Sequence, residues 1–367
     1  MNSKGILDLK IRSFEMIRIL LAILLSFAAI GVLVLLTSKK PGEVFYWFIV
    51  GPLTSVRRFG QIFQVAIPFT ICSLAMTIML RAGKFNLCTD GVFYICMAFA
   101  SILALNLALP PVIAPIIIIL ICACLGALVA LIPASLHFKW NANLVVASLM
   151  LNYVWLHVGR YILLYVINDP TITYTGSYRF PESATLGTVF KGTSIHSGLY
   201  VAVVVALIAY VIIKRTRLGF AITQTGNNPN FARACGINVG LIALAAQAIG
   251  GAFIGIGGAV EVLGTFKQFK SDSLLGYGGY GLLIAAVGKN DPKKVIIASI
   301  LIAYMRAGAA LVNSNTDIPL ELADVLQGIL VIFVAAELLF SNVKHRWIVK
   351  RAKFDEYEVI GGVAKNA

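Results

Sequence analysis

The chain alternates between long apolar runs and short polar ones, with a spacing set by a bilayer. Ten stretches, at about 17–36, 62–80, 92–109, 112–133, 144–166, 198–213, 238–263, 275–288, 295–312 and 323–340, are nearly unbroken in apolar residues. A helix needs about 20 such residues to cross the hydrocarbon core. The eighth run is short and rich in glycine, which fits a broken helix better than a simple span. The pattern predicts an all-α, polytopic membrane protein of about ten transmembrane helices, some of them interrupted.

Basic residues set the orientation. Lys4, Lys10, Arg12 and Arg18 precede the first run, which is longer than a signal-peptide core and lacks a small-residue cleavage site after it. It reads as a retained helix with its N-terminus in the cytoplasm. Every later connection then has a side. The cytoplasmic ones carry Arg81 and Lys84; His137 and Lys139; Lys214, Arg215, Arg217 and Arg233; and Lys289, Lys293 and Lys294. Lys344, Arg346, Lys350, Arg351 and Lys353 follow in the tail, so both termini are expected inside. Lys39, Lys40, Arg57 and Arg58 fall on the outer side, against the rule.

Two outer segments are more than turns. The stretch 41–60, with Phe45, Tyr46, Trp47 and Phe48 among charges, suits an interfacial helix. The polar stretch 168–197 is long enough for a cap on the outer face, and a loose loop fits it as well. Glycine-flanked breaks follow the second run (Arg81–Gly91) and the seventh (Leu263–Gly281). Five helices separate the two breaks, so they face opposite sides of the membrane, the pattern of an inverted repeat. The organisation expected is a transmembrane domain over 1–343 and a basic cytoplasmic tail over 344–367, with connecting loops at 167–197 and 214–238.

Composition agrees. Hydrophobic residues make up 59% of the chain and charged residues 13%, against about 45–50% and about 25% in soluble domains. The net charge of +14 (30 basic minus 16 acidic) is accounted for by the cytoplasmic loops, so no nucleic acid is needed to explain it. No GxxxxGK[ST] occurs, so any ATP must be bound by another chain. Gly276–Gly281 spells GxGxxG, but no strand precedes it, and close helix packing is the better account. The six cysteines form no CxxC pair and read as small buried hydrophobes. His137, His157, His196 and His345 are scattered, and neither HExxH nor GxSxG occurs, so metal or triad chemistry has little support.

Three features carry candidate chemistry. In the fifth run Asn152, Tyr153, His157 and Arg160 give a polar stripe at helical spacing. It fits a solute path, and it equally fits Arg160 snorkelling to the interface while His157 bonds a neighbouring helix. Glu261, near the outer end of the seventh run, has the same two readings. The third feature is the basic insert 214–238. Gly226-Asn227-Asn228-Pro229 is a turn followed by a helix start, and Gly236 is a natural stop, so one or two helical turns are expected at 230–235.

Several blocks together resemble permease subunits of ABC-type importers, in the branch for simple sugars and nucleosides. Arg81–Phe93 resembles the branch signature RAGxFNIGxEGQ, with Asp90 at the usual glutamate, Cys88 at a glycine and Val92 at a glutamine. Leu151–Leu163, Gly226–Val239, Gly257–Thr265 and Gly281–Pro292 resemble four further blocks in the same order. The resemblance implies a bacterial cytoplasmic-membrane subunit. It would pair with a second permease, identical or paralogous, and bind a cytoplasmic ABC ATPase that holds ATP and magnesium. An extracytoplasmic binding protein would deliver the solute, lipid would surround the chain, and the chain itself would carry no cofactor. It also implies that Gly226, Asn227, Asn228, Pro229, Ala232, Arg233 and Gly236 belong to an ATPase-coupling helix. Asn86, Asp90, Asn152, Tyr153, His157 and Glu261 become candidates for the solute path. Nucleosides come first as solute, then riboflavin or a ribose-like sugar. An ion-coupled secondary transporter is the rival class, disfavoured by the few intramembrane acids.

Overall fold

A 26-residue helix, α1 (Val56–Arg81), forms the axis of the protein, and 83% of its most apolar window is buried. It starts at Ser55, whose side chain accepts a hydrogen bond from Arg58 N at 3.3 Å, the usual cap for an orphan first-turn amide. Pro68 lies inside it, tolerated because a bundle interior can re-satisfy the freed carbonyl. The structure, a computed structural model, describes residues 40–317 except 108 and 191, together with residues 31, 34, 35, 325 and 328. The first and last predicted runs, and both termini, lie outside the described residues. Phe45–Asn315 forms one compact unit, described here by itself.

Around α1 stand α2 (Thr89–Asn106), α3 (Ile113–Trp140), α4 (Leu144–Tyr161), α5 (Gly198–Arg215), α6 (Arg217–Asn227), α7 (Pro229–Ala234), α8 (Val239–Glu261), α9 (Tyr277–Val287) and α10 (Pro292–Asn315). Single π-turns extend α4 over Ile162–Val166 and α8 over Val262–Phe266. Among the described residues seven helical segments are long and apolar enough to cross a membrane. The eighth run is α9, whose 11 residues span only about 17 Å at 1.5 Å per residue, too short to cross. The described residues are thus all-helical and polytopic, with an interrupted helix where the sequence placed one.

Small residues set how closely helices approach. A Cβ on Gly255 would meet the Cys122 carbonyl, and one on Gly251 would meet the Gly126 carbonyl. Helices α3 and α8 therefore touch backbone to backbone, as small-residue stripes allow where lipid gives no hydrophobic drive for association. Beside that seam Cys96 and Cys122 each donate a thiol to the other's carbonyl, at 3.6 and 3.5 Å. Cys72, Cys88, Cys96 and Cys122 are buried as expected, whereas Cys124 and Cys235 are exposed.

The outer segments resolve differently from each other. The stretch expected as one interfacial helix is three short turns, Pro41–Phe45, Tyr46–Val50 and Gly51–Leu53. Arg58, one of the basic residues that break the charge rule, sits 4.8 Å from the Trp47 ring centroid. The stretch 168–197 is a packed cap. Ser177 N donates to Phe269 O at 2.8 Å, Phe180 N to Lys267 O at 3.1 Å and Leu186 N to Leu263 O at 3.0 Å. His196 wedges between the start of α5 and the π-turn after α8. It accepts from Gly198 N at Nδ1 (3.2 Å), so its proton lies on Nε2, facing the Thr265 hydroxyl at 3.3 Å. Burial, with the Lys267 charge nearby, pushes this imidazole down to about 4.

Two outcomes follow. Gly255→Leu should lower thermal stability in detergent by roughly 1–3 kcal/mol through overpacking; Gly187→Ala, which meets no atom within 4 Å, should leave it unchanged. For His196 the folded value is depressed to about 4 from 6.5, so the unfolded chain binds the extra proton between those pH values. Stability should then fall as pH drops from 6.5 towards 4, by up to about 3 kcal/mol, and His196→Gln should flatten that part of the melting-versus-pH curve.

Candidate functional site

The first break is built by amide side chains. Asn86, 1% exposed, donates from Nδ2 to Ala130 O at 3.1 Å, and its Oδ1 accepts from Cys88 N at 3.0 Å. Asn152 on α4 holds both ends of the turn that follows: its Nδ2 donates to Leu87 O at 2.6 Å, and its Oδ1 accepts from Gly91 N at 2.8 Å. Ser148, one turn earlier on α4, accepts from Leu87 N at 3.0 Å. These bonds replace the ladder that the chain gives up between α1 and α2.

Asp90 stands in the first turn of α2, and its Oδ1 accepts from Gly278 N, in the first turn of α9, at 2.7 Å. The carboxylate thus lies at two helix N-termini, where partial positive charge concentrates. Gly276, at φ +75°, turns the chain into α9. Glu261, 2% exposed at the end of α8, accepts from the Tyr277 hydroxyl at 2.9 Å. The Tyr277 ring packs against Phe93 (4.9 Å between centroids) and Phe69 (5.7 Å). Asn86, Asp90, Asn152 and Glu261 are therefore drawn together through the starts of α2 and α9.

Tyr153 and His157 are not. Both are exposed on the side of α4 opposite Ser148 and Asn152, with Arg160 beside them. The stripe is real, but it faces outward from this chain. Among the described residues His157 makes no hydrogen bond to a neighbouring helix.

The basic insert at 214–238 holds two helices. Thr216 breaks α5 from α6 and caps the latter, its Oγ1 accepting from Gly219 N at 3.1 Å. Asn228 Oδ1 accepts from Asn230 N and Phe231 N, both at 3.1 Å; Pro229 takes the first position of α7, and Gly236 follows at φ +78°. Ala232 is buried, while Asn227, Asn228, Pro229, Phe231, Arg233 and Gly236 are exposed. The helix at 229–234 matches the expectation. Helix α6 was missed, although Thr216 was a legible cap.

This element is fastened to the ends of α1 and α5 and to the turn between α9 and α10. Gly226 lies against the Arg81 carbonyl and Gly83, where a Cβ would collide. Arg81 donates from Nε to Asn290 O at 2.7 Å and from Nη1 to Thr223 Oγ1 at 3.4 Å. Lys214 pairs with Asp291 at 2.7 Å, and its ammonium holds that carboxyl below the usual carboxylate range. Sequence reasoning also missed Tyr277; the one signal for it was its place in the glycine-rich GYGGYG run.

Known proteins match this arrangement over most of its length. The family model described as branched-chain amino acid transport system / permease component matches residues 59–335. The chain is 31% identical over 333 residues to the glucose ABC transporter permease protein TsgB13 of Haloferax volcanii, covering 88% of this chain and 87% of that one. It is 27% identical to the guanosine ABC transporter permease protein NupP of Bacillus subtilis, covering 86% and 92%. It is 25% identical to the nucleoside ABC transporter permease protein NupB of Lactococcus lactis subsp. cremoris, covering 88% and 91%. With 277 of its 367 residues matched (59 through 335), the chain belongs to the branched-chain amino acid transport system / permease component family, in the branch of sugar and nucleoside ABC transporter permeases.

Proposed function

We propose that this chain is the transmembrane subunit of an ATP-driven importer that carries nucleosides across the cytoplasmic membrane of a bacterium. It pairs with a second permease, receives solute from an outer binding protein and takes force from a cytoplasmic ATPase. Residues 1–343 serve as the permease domain and 344–367 as a basic cytoplasmic tail. The observation that carries the reading is the α6–α7 element. It presents Phe231 and Arg233 outward, while Gly226 and Thr223 bind it to the end of α1, and Lys214, at the end of the preceding α5, pairs with Asp291 in the α9–α10 turn. A short capped helix so fastened transmits motion as a rigid body.

Solute class rests on the relatives named for guanosine and nucleosides. A sugar is the second reading, favoured by the relative named for glucose. Asp90 and Glu261 stand beside aromatic rings, an arrangement suited to hydroxyls and flat bases. Asn86 and Asn152 shape the entry of α2, since both ends of each amide are already engaged by backbone. Tyr153 and His157 line the path from the exposed face of α4, facing the second permease.

Proteoliposomes holding the permeases, ATPase and binding protein should take up radiolabelled guanosine or uridine when ATP is present. Uptake of glucose instead would shift the solute to the second reading, and uptake by this chain alone on an ion gradient would remove the importer. In the same vesicles Phe231→Ala and Arg233→Glu, both at exposed sites, should cut solute-stimulated ATP hydrolysis roughly 5- to 30-fold, the scale of an interface hot spot, with the melting temperature unmoved. Unchanged stimulation would take α7 out of the coupling role. His157→Ala should raise the apparent KM for the solute without altering basal ATP hydrolysis; an unchanged KM would place the stripe outside the path.

A further inference from the structure

Helices α1, α5 and α10 enclose a groove of about 480 Å³ that none of the transport steps uses. Its walls are apolar, with Phe63, Ile67, Ala202, Ala206 and Leu207 among the lining residues. The Thr70 hydroxyl in its wall is already paired, 2.6 Å from the Ser299 hydroxyl behind it, so it offers little to a polar solute. Along α5 the groove runs from Leu199 to Tyr210. Eleven steps of about 1.5 Å make roughly 16 Å, the depth of one leaflet of a core about 30 Å thick.

One end of the groove is polar. Tyr210 and Lys293 line it, with the ammonium 5.3 Å from the Tyr210 ring centroid. Among the described residues no carboxylate pairs with Lys293, because Asp291 gives one oxygen to Lys214 and the other to the Lys293 backbone amide. An apolar slot one leaflet deep, ending in an aromatic ring and an unpaired cation, matches a phospholipid: the chain in the slot, the phosphate at the mouth. The groove is open to the surroundings along this length, since its own lining residues Val203, Leu207 and Ile300 are exposed. A partner permease has a better claim on the opposite kind of surface, the polar stripe of α4.

We infer that this groove is a binding site for a glycerophospholipid with a net negative headgroup, held by Lys293 at the mouth and by the α1–α5–α10 slot along one acyl chain. The site is independent of which solute is carried.

Native mass spectrometry of the full-length chain in mild detergent, titrated with phosphatidylglycerol or phosphatidylcholine, tests it. One phosphatidylglycerol should be retained at about fivefold lower lipid concentration than phosphatidylcholine, the scale of one basic residue at a membrane surface. Lys293→Gln, at an exposed position, should abolish that preference while leaving the chain folded. Ala206→Trp should fill the slot and remove the retained lipid of either kind. Equal retention of the two lipids by the unaltered chain, or undiminished retention by Ala206→Trp, overturns the site. So does conversion of a dimer to a monomer by Ala206→Trp with lipid retention unchanged, which would make the groove a protein interface.

Discussion

A helix that begins inside a bilayer leaves its first amides facing no water, and this chain begins two such helices against each other. Their N-terminal dipoles converge at the starts of α2 and α9, an arrangement that repels unless negative charge lies between. Asp90 supplies it, accepting from Gly278 N while standing in the first turn of α2. Helix α9 runs from there back to the Arg81 end of α1, where Asn290 receives the guanidinium, and α2 runs the other way beside Cys122 of α3. Removing the acid would leave the Gly278 amide at the start of α9 without its acceptor, and both helix dipoles without the negative charge between them. The amide bonds of Asn86 and Asn152 are the same solution applied to the turn that leads in.

The end of α9 away from Asp90 is tied down as well. Arg81 closes α1, touches the turn after α9 and contacts Thr223 of α6; Lys214 ties the end of α5 to Asp291 on the same turn. Helices α6 and α7 are thus joined to the end of α1 by one side-chain bond, Arg81 to Thr223, and by the Gly226 contact. Helix α9, 11 residues long, is held at its start by Asp90 and just past its end by the Asn290–Arg81 bond.

Much of this was legible in the chain. Apolar length alone marks the long spans, because a bilayer tolerates nothing else, and glycine with shortness marks α9 as interrupted. Capping chemistry located α7 to within a residue, since Asn228, Pro229 and Gly236 each have one physical job. Facing was not legible. Asn152 and Tyr153 are adjacent and equally polar in sequence, yet one clamps the α2 entry and the other is exposed. Periodicity gives a stripe but not the neighbour it meets, and in a membrane helix the outward face need not be polar or apolar by rule. The π-turns that prolong α4 and α8 shift register locally, which no hydrophobic pattern records. The packed cap at 168–197 was hidden for another reason: its partners lie some ninety residues away, at 263–269.

The distribution of polarity over the exposed helices separates two kinds of neighbour. Helix α4 turns Tyr153, His157 and Arg160 outward, and an ionisable side chain facing hydrocarbon is costly, so that face needs water or protein against it. Helices α5 and α10 turn out Val203, Val204, Leu207, Ile208, Ile297 and Leu301, which need only lipid. Small-residue seams hold the interior, so hydrophobicity is free to mark the lipid surface instead. The polar and the apolar exposed faces thus lie on different helices of one subunit, α4 for the first and α5 with α10 for the second.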